Sequence, residues 1–164
     1  GSGAHMAAEL FIFETKIKLT HVPYKGTGAV TADMLGQQRD MVLFAPLPAV
    51  AGIVRSGQLK AIALTGKQRS SAMPDVPTFI EAGIPGFDFD LYSGVLGPKG
   101  MPDTLIQKIH YELGVAVRSP EMQAIFETIG AEPMTNSSKE FLIHNTNEIA
   151  KLVKVVKAAK IQVN

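Results

Sequence analysis

The sequence predicts an α/β chain built around a parallel-rich sheet. Three observations carry that expectation. Helical stretches alternate with short apolar runs through residues 1–64, the order of βαβ units. Prolines open several elements and glycines follow their ends, the asymmetry that helices prefer. The chain has 164 residues, 46% hydrophobic and 19% charged, enough for one domain with a buried core and too apolar for a disordered segment.

Taken in order, Met6, Leu10, Phe13 and Ile17 recur at helical spacing, so residues 6–17 read as a helix. Residues 19–22 read as a short strand stopped by Pro23, and Tyr24 to Gly28 as a glycine-punctuated loop. Residues 29–35 read as a helix with Gly36 at its end. Four apolar residues in a row, 41–44, suggest a buried strand. Residues 46–56 suggest a helix closed by Gly57, and 59–64 another strand. The texture then changes. Met73 to Pro77 is a rigid turn region, and Thr78 can cap a short helix through Glu81 and Ala82. Residues 87–96 form a long extended segment, able to cross between two lobes, with the break in texture near Tyr92. Helices follow. Residues 102–118 carry Ile106, Ile109, Leu113 and Ala116 on one face. Ser119 and Pro120 open the next helix and Gly130 closes it. Ser137 and Glu140 form a capping box for a last helix whose buried stripe is expected at Leu142, Ile149, Leu152, Val153 and Val156.

Composition excludes several functions. Sixteen basic and fifteen acidic residues give a net charge of +1, without the broad basic field of a general nucleic-acid binder. With no cysteine, disulfides, thiol nucleophiles and Cys-ligated metals are ruled out. No apolar run reaches the ~18 residues of a membrane span, and the opening residues do not read as a signal peptide. His5, His21, His110 and His144 lack metal-binding spacing, and no Gly-x-Ser-x-Gly elbow is present. Gly26-x-Gly28 stops short of a dinucleotide fingerprint, because Thr31 holds the third glycine position. No catalytic residue, metal or cofactor is therefore expected.

Anion binding has better support. Ser2, Gly3 and Ala4 precede a helix whose first-turn N–H groups and partial positive charge suit a carboxylate, and His5 could line that site. Tyr24, Lys25 and Gly26 form a loop where open α/β sheets bind ligands. Ala45 and Pro46 follow the 41–44 run at the same expected edge. Tyr92 and Ser93 lie in the crossing segment. Each feature also has an everyday structural role: a helix start or vector-derived tag for residues 1–6, a solvated lysine beside a half-buried tyrosine, a strand-to-helix turn, ordinary strand packing.

Together these loops resemble one family. The Gly1-Ser2-Gly3 loop with its histidine runs in frame into Ala7-Ala8-Glu9-Leu10-Phe11. His21-Val22-Pro23-Tyr24-Lys25-Gly26 is the most distinctive hexapeptide. Met73-Pro74-Asp75-Val76-Pro77-Thr78 with Glu81-Ala82-Gly83-Ile84-Pro85-Gly86 is a second motif, and Gly130-Ala131-Glu132-Pro133 a third. The sequence is similar to the C-terminal half of the extracytoplasmic solute receptors of tripartite tricarboxylate transporters, the Bug proteins. The resemblance favours a native opening loop over a tag. It departs from the family in having Ala45-Pro46 where many members carry Asp-Asn, and no tryptophan near Leu91-Tyr92.

What the resemblance implies is a periplasmic-binding-protein-like α/β fold. Residues 1–90 would form most of the second, ligand-binding lobe. Residues 91–164 would supply the crossing strand and helices returning to an incomplete first lobe. The implied function is periplasmic capture of a small carboxylate for membrane permease subunits, without chemistry on the ligand or contact with nucleic acid. Ser2, Gly3, Ala4 and His5 would form the cradle, and Tyr24, Lys25, Gly26, Ala45, Pro46, Tyr92 and Ser93 the flanking wall. Apolar faces left exposed would favour self-association. Two rivals stand beside this reading: an α/β enzyme using His5 or His21 as general base, and a sensor that passes ligand occupancy to a membrane kinase.

Overall fold

The computed structural model describes residues 1–36 and 40–159. Residues 160–164, expected in the second part of the chain, lie outside them. Six helices occur among the described residues: α1 (Gly3–Thr15), α2 (Thr27–Gly36), α3 (Leu47–Arg55), α4 (Asp103–Val117), α5 (Pro120–Ile129) and α6 (Ser138–Ala159).

The first helix begins earlier than its apolar spacing suggests. Ser2 is the N-cap, and its hydroxyl accepts the His5 backbone N–H at 3.4 Å, which extends regular structure back to Gly3. Lys16 ends it in the left-handed region at φ 59°, its N–H donating to the Ile12 carbonyl at 2.9 Å. Met6, Ala7 and Leu10 face inward. The later caps match the sequence reading. Ser119 accepts the Met122 N–H, Pro120 opens α5, and Gly130 closes it at φ 70°. Glu140 and Ser137 exchange hydrogen bonds at 2.8 Å and 3.3 Å, the reciprocal box ahead of α6.

The parallel-rich sheet is the main departure. Among the described residues, 19–22, 41–44 and 59–64 run without a ladder, and the β pairing seen is one isolated parallel bridge between Leu64 and Thr78. Leu64 donates to the Pro77 carbonyl at 2.8 Å and accepts from Phe79 at 2.9 Å. Thr65 accepts from Phe89 at 3.0 Å. A ladder needs a neighbouring backbone in register about 4.8 Å away. These runs meet side chains instead: Phe44 lies against Phe11 and Phe79, with ring centroids 5.8 and 6.2 Å apart. An apolar run records a preference for burial and extension, but not whether a partner strand arrives. The residues expected as a fully buried strand are accordingly part-exposed, Val42 by 56%.

Two smaller corrections follow from local geometry. Residues 79–83, after the Thr78 bridge, form successive turns rather than a short helix. Thr78 and Glu81 still exchange capping bonds, Thr78 N–H to Glu81 at 2.7 Å and Glu81 N–H to Thr78 Oγ1 at 3.1 Å, while Arg69 grips the Glu81 carboxylate through Nε at 2.9 and 3.1 Å. The Arg69 hydrogen bond, then the Thr78 N–H, hold the Glu81 carboxyl below its ordinary pKa. On α6 the buried position is Val155, with Leu152 and Val156 packed beside it, whereas Leu142, Ile149 and Val153 are exposed. The second half of α6 meets the core through Leu152, Val155 and Val156, while Phe141, His144 and Asn145 of its first half meet Tyr92, which leaves Leu142 and Ile149 on the exposed side.

The core joins α1, residues 84–89 and α6. Met6, Ala7, Leu10, Phe87, Phe89 and Val155 are buried together, flanked by Phe11, Phe44, Phe79, Ile84, Leu152 and Val156. Phe79 and Phe87 stand 4.4 Å apart and Phe11 tilts onto Phe79 at 5.4 Å, contacts worth about 0.5–1.5 kcal/mol each beyond area burial. A polar clasp lies beside them. Lys151 of α6 donates to the Asp88 carbonyl and carboxylate, both at 3.1 Å, and pairs with Glu148 at 2.8 Å; Lys67 reaches Asp88 at 3.3 Å. Partial burial pulls the Lys151 pKa down, but the hydrogen bonds from Glu148 and Asp88 outweigh it and leave the pKa above normal.

Two outcomes test this packing. Phe87 is fully buried, so Phe87→Ala should cost about 3–5 kcal/mol in urea unfolding, while Leu142→Ala on the exposed face of α6 should change stability by less than about 0.5 kcal/mol. Asp90 supplies a pH signature. Its Oδ1 sits 2.7 Å from where a Cβ on Gly66 would stand. Desolvation there, then repulsion from Asp88 and Glu148, raises its pKa against the opposing pull of Lys151 and Lys67. A carboxyl raised in the folded state costs nothing below its unfolded pKa of about 3.9 and costs stability as pH climbs through the folded value. Asp90→Asn should therefore unfold later than the parent chain near neutral pH and coincide with it near pH 3, with unfolding midpoints as the readout.

Candidate ligand-binding site

The site is best built from the start of α1. The Ser2 cap turns the chain so that the first-turn N–H groups of α1 point away from the helix, where an anion meets roughly half a unit of positive charge. His5 leaves that turn sideways. Its ring stacks on His21, centroids 4.1 Å apart and planes 16° from parallel, and its Nε2 lies 3.3 Å from Glu9 Oε1 one turn further along. The stack pins the 19–22 segment, and with it the Tyr24 loop that follows, against the start of α1.

Gly3 shows what else approaches. A Cβ there would collide with Leu91 Cδ1, so the crossing segment lies directly over the first turn of α1. Leu91 itself is half-exposed. The missing side chain at Gly3 makes room for this contact, the kind of close approach for which glycine is suited.

The remaining expected residues divide. Tyr24 is half-buried and its hydroxyl donates to the Asp33 carboxylate on α2. Lys25 is exposed beside it, and Gly26 adopts φ 131° just before α2 begins. Pro46 occupies the N-cap position of α3 without a side-chain hydrogen bond, and Ala45 links it to Phe44 in the aromatic cluster. Tyr92 turns toward α6: its hydroxyl donates to Asn145 Oδ1 at 2.5 Å and its ring meets His144 and Phe141 edge-on, at 4.5 and 6.1 Å. That hydroxyl is engaged within the chain. Ser93 is exposed. Thus Ser2, Gly3, Ala4 and His5 share one turn, the Tyr24 loop is tied to it through His21, and Phe11 links α1 to the Ala45 turn through Phe44.

Sequence reasoning left His21, Glu9 and Leu91 out of the site. His21 opened the distinctive hexapeptide, which was a usable signal, and Glu9 stands four residues after His5, one helical turn. Nothing local marked Leu91, because its contact with Gly3 joins distant parts of the chain. Among the described residues, no group of three or more His, Cys, Asp or Glu could hold a metal ion, and no helix is long and apolar enough to cross a membrane.

Against known proteins, residues 1–161 match the tripartite tricarboxylate transporter family receptor. The chain belongs to this receptor family. Its relatives include Protein BugT of Bordetella pertussis, 35% identical over 137 residues, which covers 82% of this chain and 41% of the relative. Among solved structures, R. palustris Rpa4515 with adipate superposes with a TM-score of 0.85 at 30% identity, covering 98% of this chain and 54% of that one. MatC (Rpa3494) from Rhodopseudomonas palustris with bound malate gives 0.80 at 25% identity, over 93% of this chain and 53% of the other. The chain thus spans about half the length of these relatives. The TctC-type receptors are periplasmic solute-binding proteins rather than enzymes, and the fold here is theirs. In the receptor frame the Ser2 cap is the feature whose removal is simplest to read: Ser2→Ala should lower stability by about 0.5–1 kcal/mol through loss of the N-cap, while Ser2→Asp should hold it, both measured by thermal unfolding.

Proposed function

We propose that this chain contributes one binding surface of a periplasmic receptor that captures a small carboxylate for membrane permease subunits. The observation that carries the reading is the capped start of α1, crossed by Leu91 at Gly3 and braced by the His5–His21 stack, in a fold shared with receptors solved with adipate and with malate. In this reading, the amides of Gly3 and Ala4 receive carboxylate oxygens, directly or through water, with Ser2 Oγ beside them holding the His5 N–H and the His5 side chain lining the cradle. Lys25 supplies long-range attraction for the anion, and Tyr24, Gly26, Ala45 and Pro46 form the adjoining wall. Tyr92 and Ser93 frame the crossing segment.

The lobe assignment follows the same logic. Residues 1–90 supply most of the ligand-binding lobe. Residues from 91 onward form the crossing segment and helices of the other, with the end of α6 docked on α1. Receptors of this shape gain affinity when two lobes close and exclude water, so a single wall binds weakly. Mechanistically the ligand is held and released unchanged. His5 faces Glu9 and stacks on His21, and both histidines position the loop rather than act as proton-transfer groups.

Titration with adipate, monitored by amide NMR shifts, tests this reading. Binding in the millimolar range is expected, with the largest shifts at residues 2–6 and 24–26, and none from the uncharged diamide. Ser2→Asp preserves the cap but sets a like charge against the ligand, and should abolish those shifts. Shifts confined to other surfaces, or an equal response to the diamide, would sink the carboxylate cradle.

A further inference from the structure

The stack of His5 on His21 joins two elements through side chains of the type that changes charge near neutral pH. His5 leaves the first turn of α1, and His21 sits in the irregular stretch that leads into the Tyr24 loop. Both belong to this chain, so the contact needs no further polypeptide to complete it. The rings lie 4.1 Å apart and 16° from parallel, and the His5 side chain is only 17% exposed. Two polar partners bracket the His5 ring. The Gly1 amino nitrogen stands 3.0 Å from Nδ1, and Glu9 Oε1 stands 3.3 Å from Nε2. The amino group donates, so Nδ1 accepts, and these partners assign the hydrogen of the neutral ring to Nε2, where Glu9 receives it.

We propose that the His5–His21 stack is a proton-sensitive latch, which holds the stretch leading into the Tyr24 loop against the start of α1 and releases it when both rings are charged. Regulation of ligand capture follows from that release, and this consequence rests on the carboxylate reading. A neutral pair stacks as aromatic rings do. A singly charged pair keeps the attraction of a cation for a ring face. A second proton sets two cations face to face. Like charges about 4 Å apart repel enough in bulk water for a factor of about 5 in an equilibrium, and more where water is partly excluded, as it is at His5. The charges around the pair do not offset that second proton. Glu9 meets the His5 ring on one nitrogen, and the positive Gly1 amino group opposes it on the other. Lys18 and Lys25, to either side of His21, are exposed cations. Next to Leu91 on the crossing segment, Asp90 turns to Gly66 and Tyr92 to Asn145. On α2, Asp33 receives the Tyr24 hydroxyl. The charge state of the two rings therefore decides whether the stack holds.

NMR on the 164-residue chain without ligand, recorded at about pH 7.5 and about pH 5 to span the ordinary imidazole range, tests the latch. Ring-to-ring nuclear Overhauser contacts between His5 and His21 are expected at the higher pH. At the lower pH the unlatched fraction should rise at least about fivefold, the ring contacts should weaken accordingly, and amide signals of residues 19–26 should move while those of α6 stay in place. His21→Phe keeps a ring for the stack and takes up no proton, so its contact with His5 and its loop signals should be the same at both pH values. His21→Ala should give, at the higher pH, the loop signals that the parent chain shows at the lower. Ring contacts unchanged between the two pH values overturn the proposal. Loop movement that persists in His21→Phe overturns it too, because another group is then titrating. Movement of α6 together with the loop overturns it as well, since that reports general loosening rather than a local latch. Adipate is absent from the measurement, so failure here leaves the carboxylate reading standing, and failure of the adipate titration leaves the latch standing.

Discussion

Burial of the inner face of α1 against Phe87, Phe89 and Val155 is the constraint on which the remaining structure depends. The same thirteen-residue helix does three things along its length. Its first turn presents amides outward, its middle fills the core through Met6, Ala7 and Leu10, and Phe11 holds the aromatic cluster that seats Phe44 and Phe79. Full burial of a side chain such as Phe87 is worth about 1.5–3 kcal/mol relative to exposure, more than any exposed ion pair here can supply. The Lys151–Asp88 clasp therefore serves as a register for α6 beside a core that already holds it. Directional bonds of this sort select one docking among several that apolar packing alone would tolerate.

Placing the binding surface at one end of the core helix has a physical consequence. The partial charge at a helix start falls off within a turn, so a cradle there is useful only if the first turn is rigid. Rigidity comes from both sides: the Ser2 hydroxyl below, and the His5–His21 stack and Leu91 around it. The contact at Gly3 is informative because any side chain there would displace Leu91. A small residue at this position admits the crossing segment, and the crossing segment covers one flank of the turn.

The legible parts of the fold were those written in local chemistry. Ser119, Pro120 and Gly130 bound α5 because each acts on its own backbone. Ser137 with Glu140 specify the start of α6 for the same reason, and Thr78 with Glu81 made their capping bonds even where no helix followed. What failed was whatever required a distant neighbour. The runs at 41–44 and 59–64 are apolar enough for strands, yet a strand exists only as a pair. The face of α6 was likewise misassigned, since periodicity says which residues share a stripe but not which end of a long helix meets the core. In the candidate site, the helix start and the Tyr24 loop were readable as motifs, but Leu91 was not, because its role arises from a contact across most of the chain.

The distribution of polar partners also bears on how a ligand could be received. Tyr24 and Tyr92, the two hydroxyl groups most suited to orient a carboxylate, both donate within the chain, to Asp33 and to Asn145. An incoming anion would have to exceed each of those bonds, one of them to a carboxylate, before gaining either hydroxyl. In the first turn of α1 the Ser2 hydroxyl takes the His5 N–H, and the Gly3 and Ala4 N–H groups are leading donors that the helix cannot satisfy with its own carbonyls. Recognition by amides therefore costs less reorganisation than recognition by the tyrosines. It favours a ligand group compact enough to sit at a single helix end, with the remaining length of the molecule left to the apolar flank formed by Leu91.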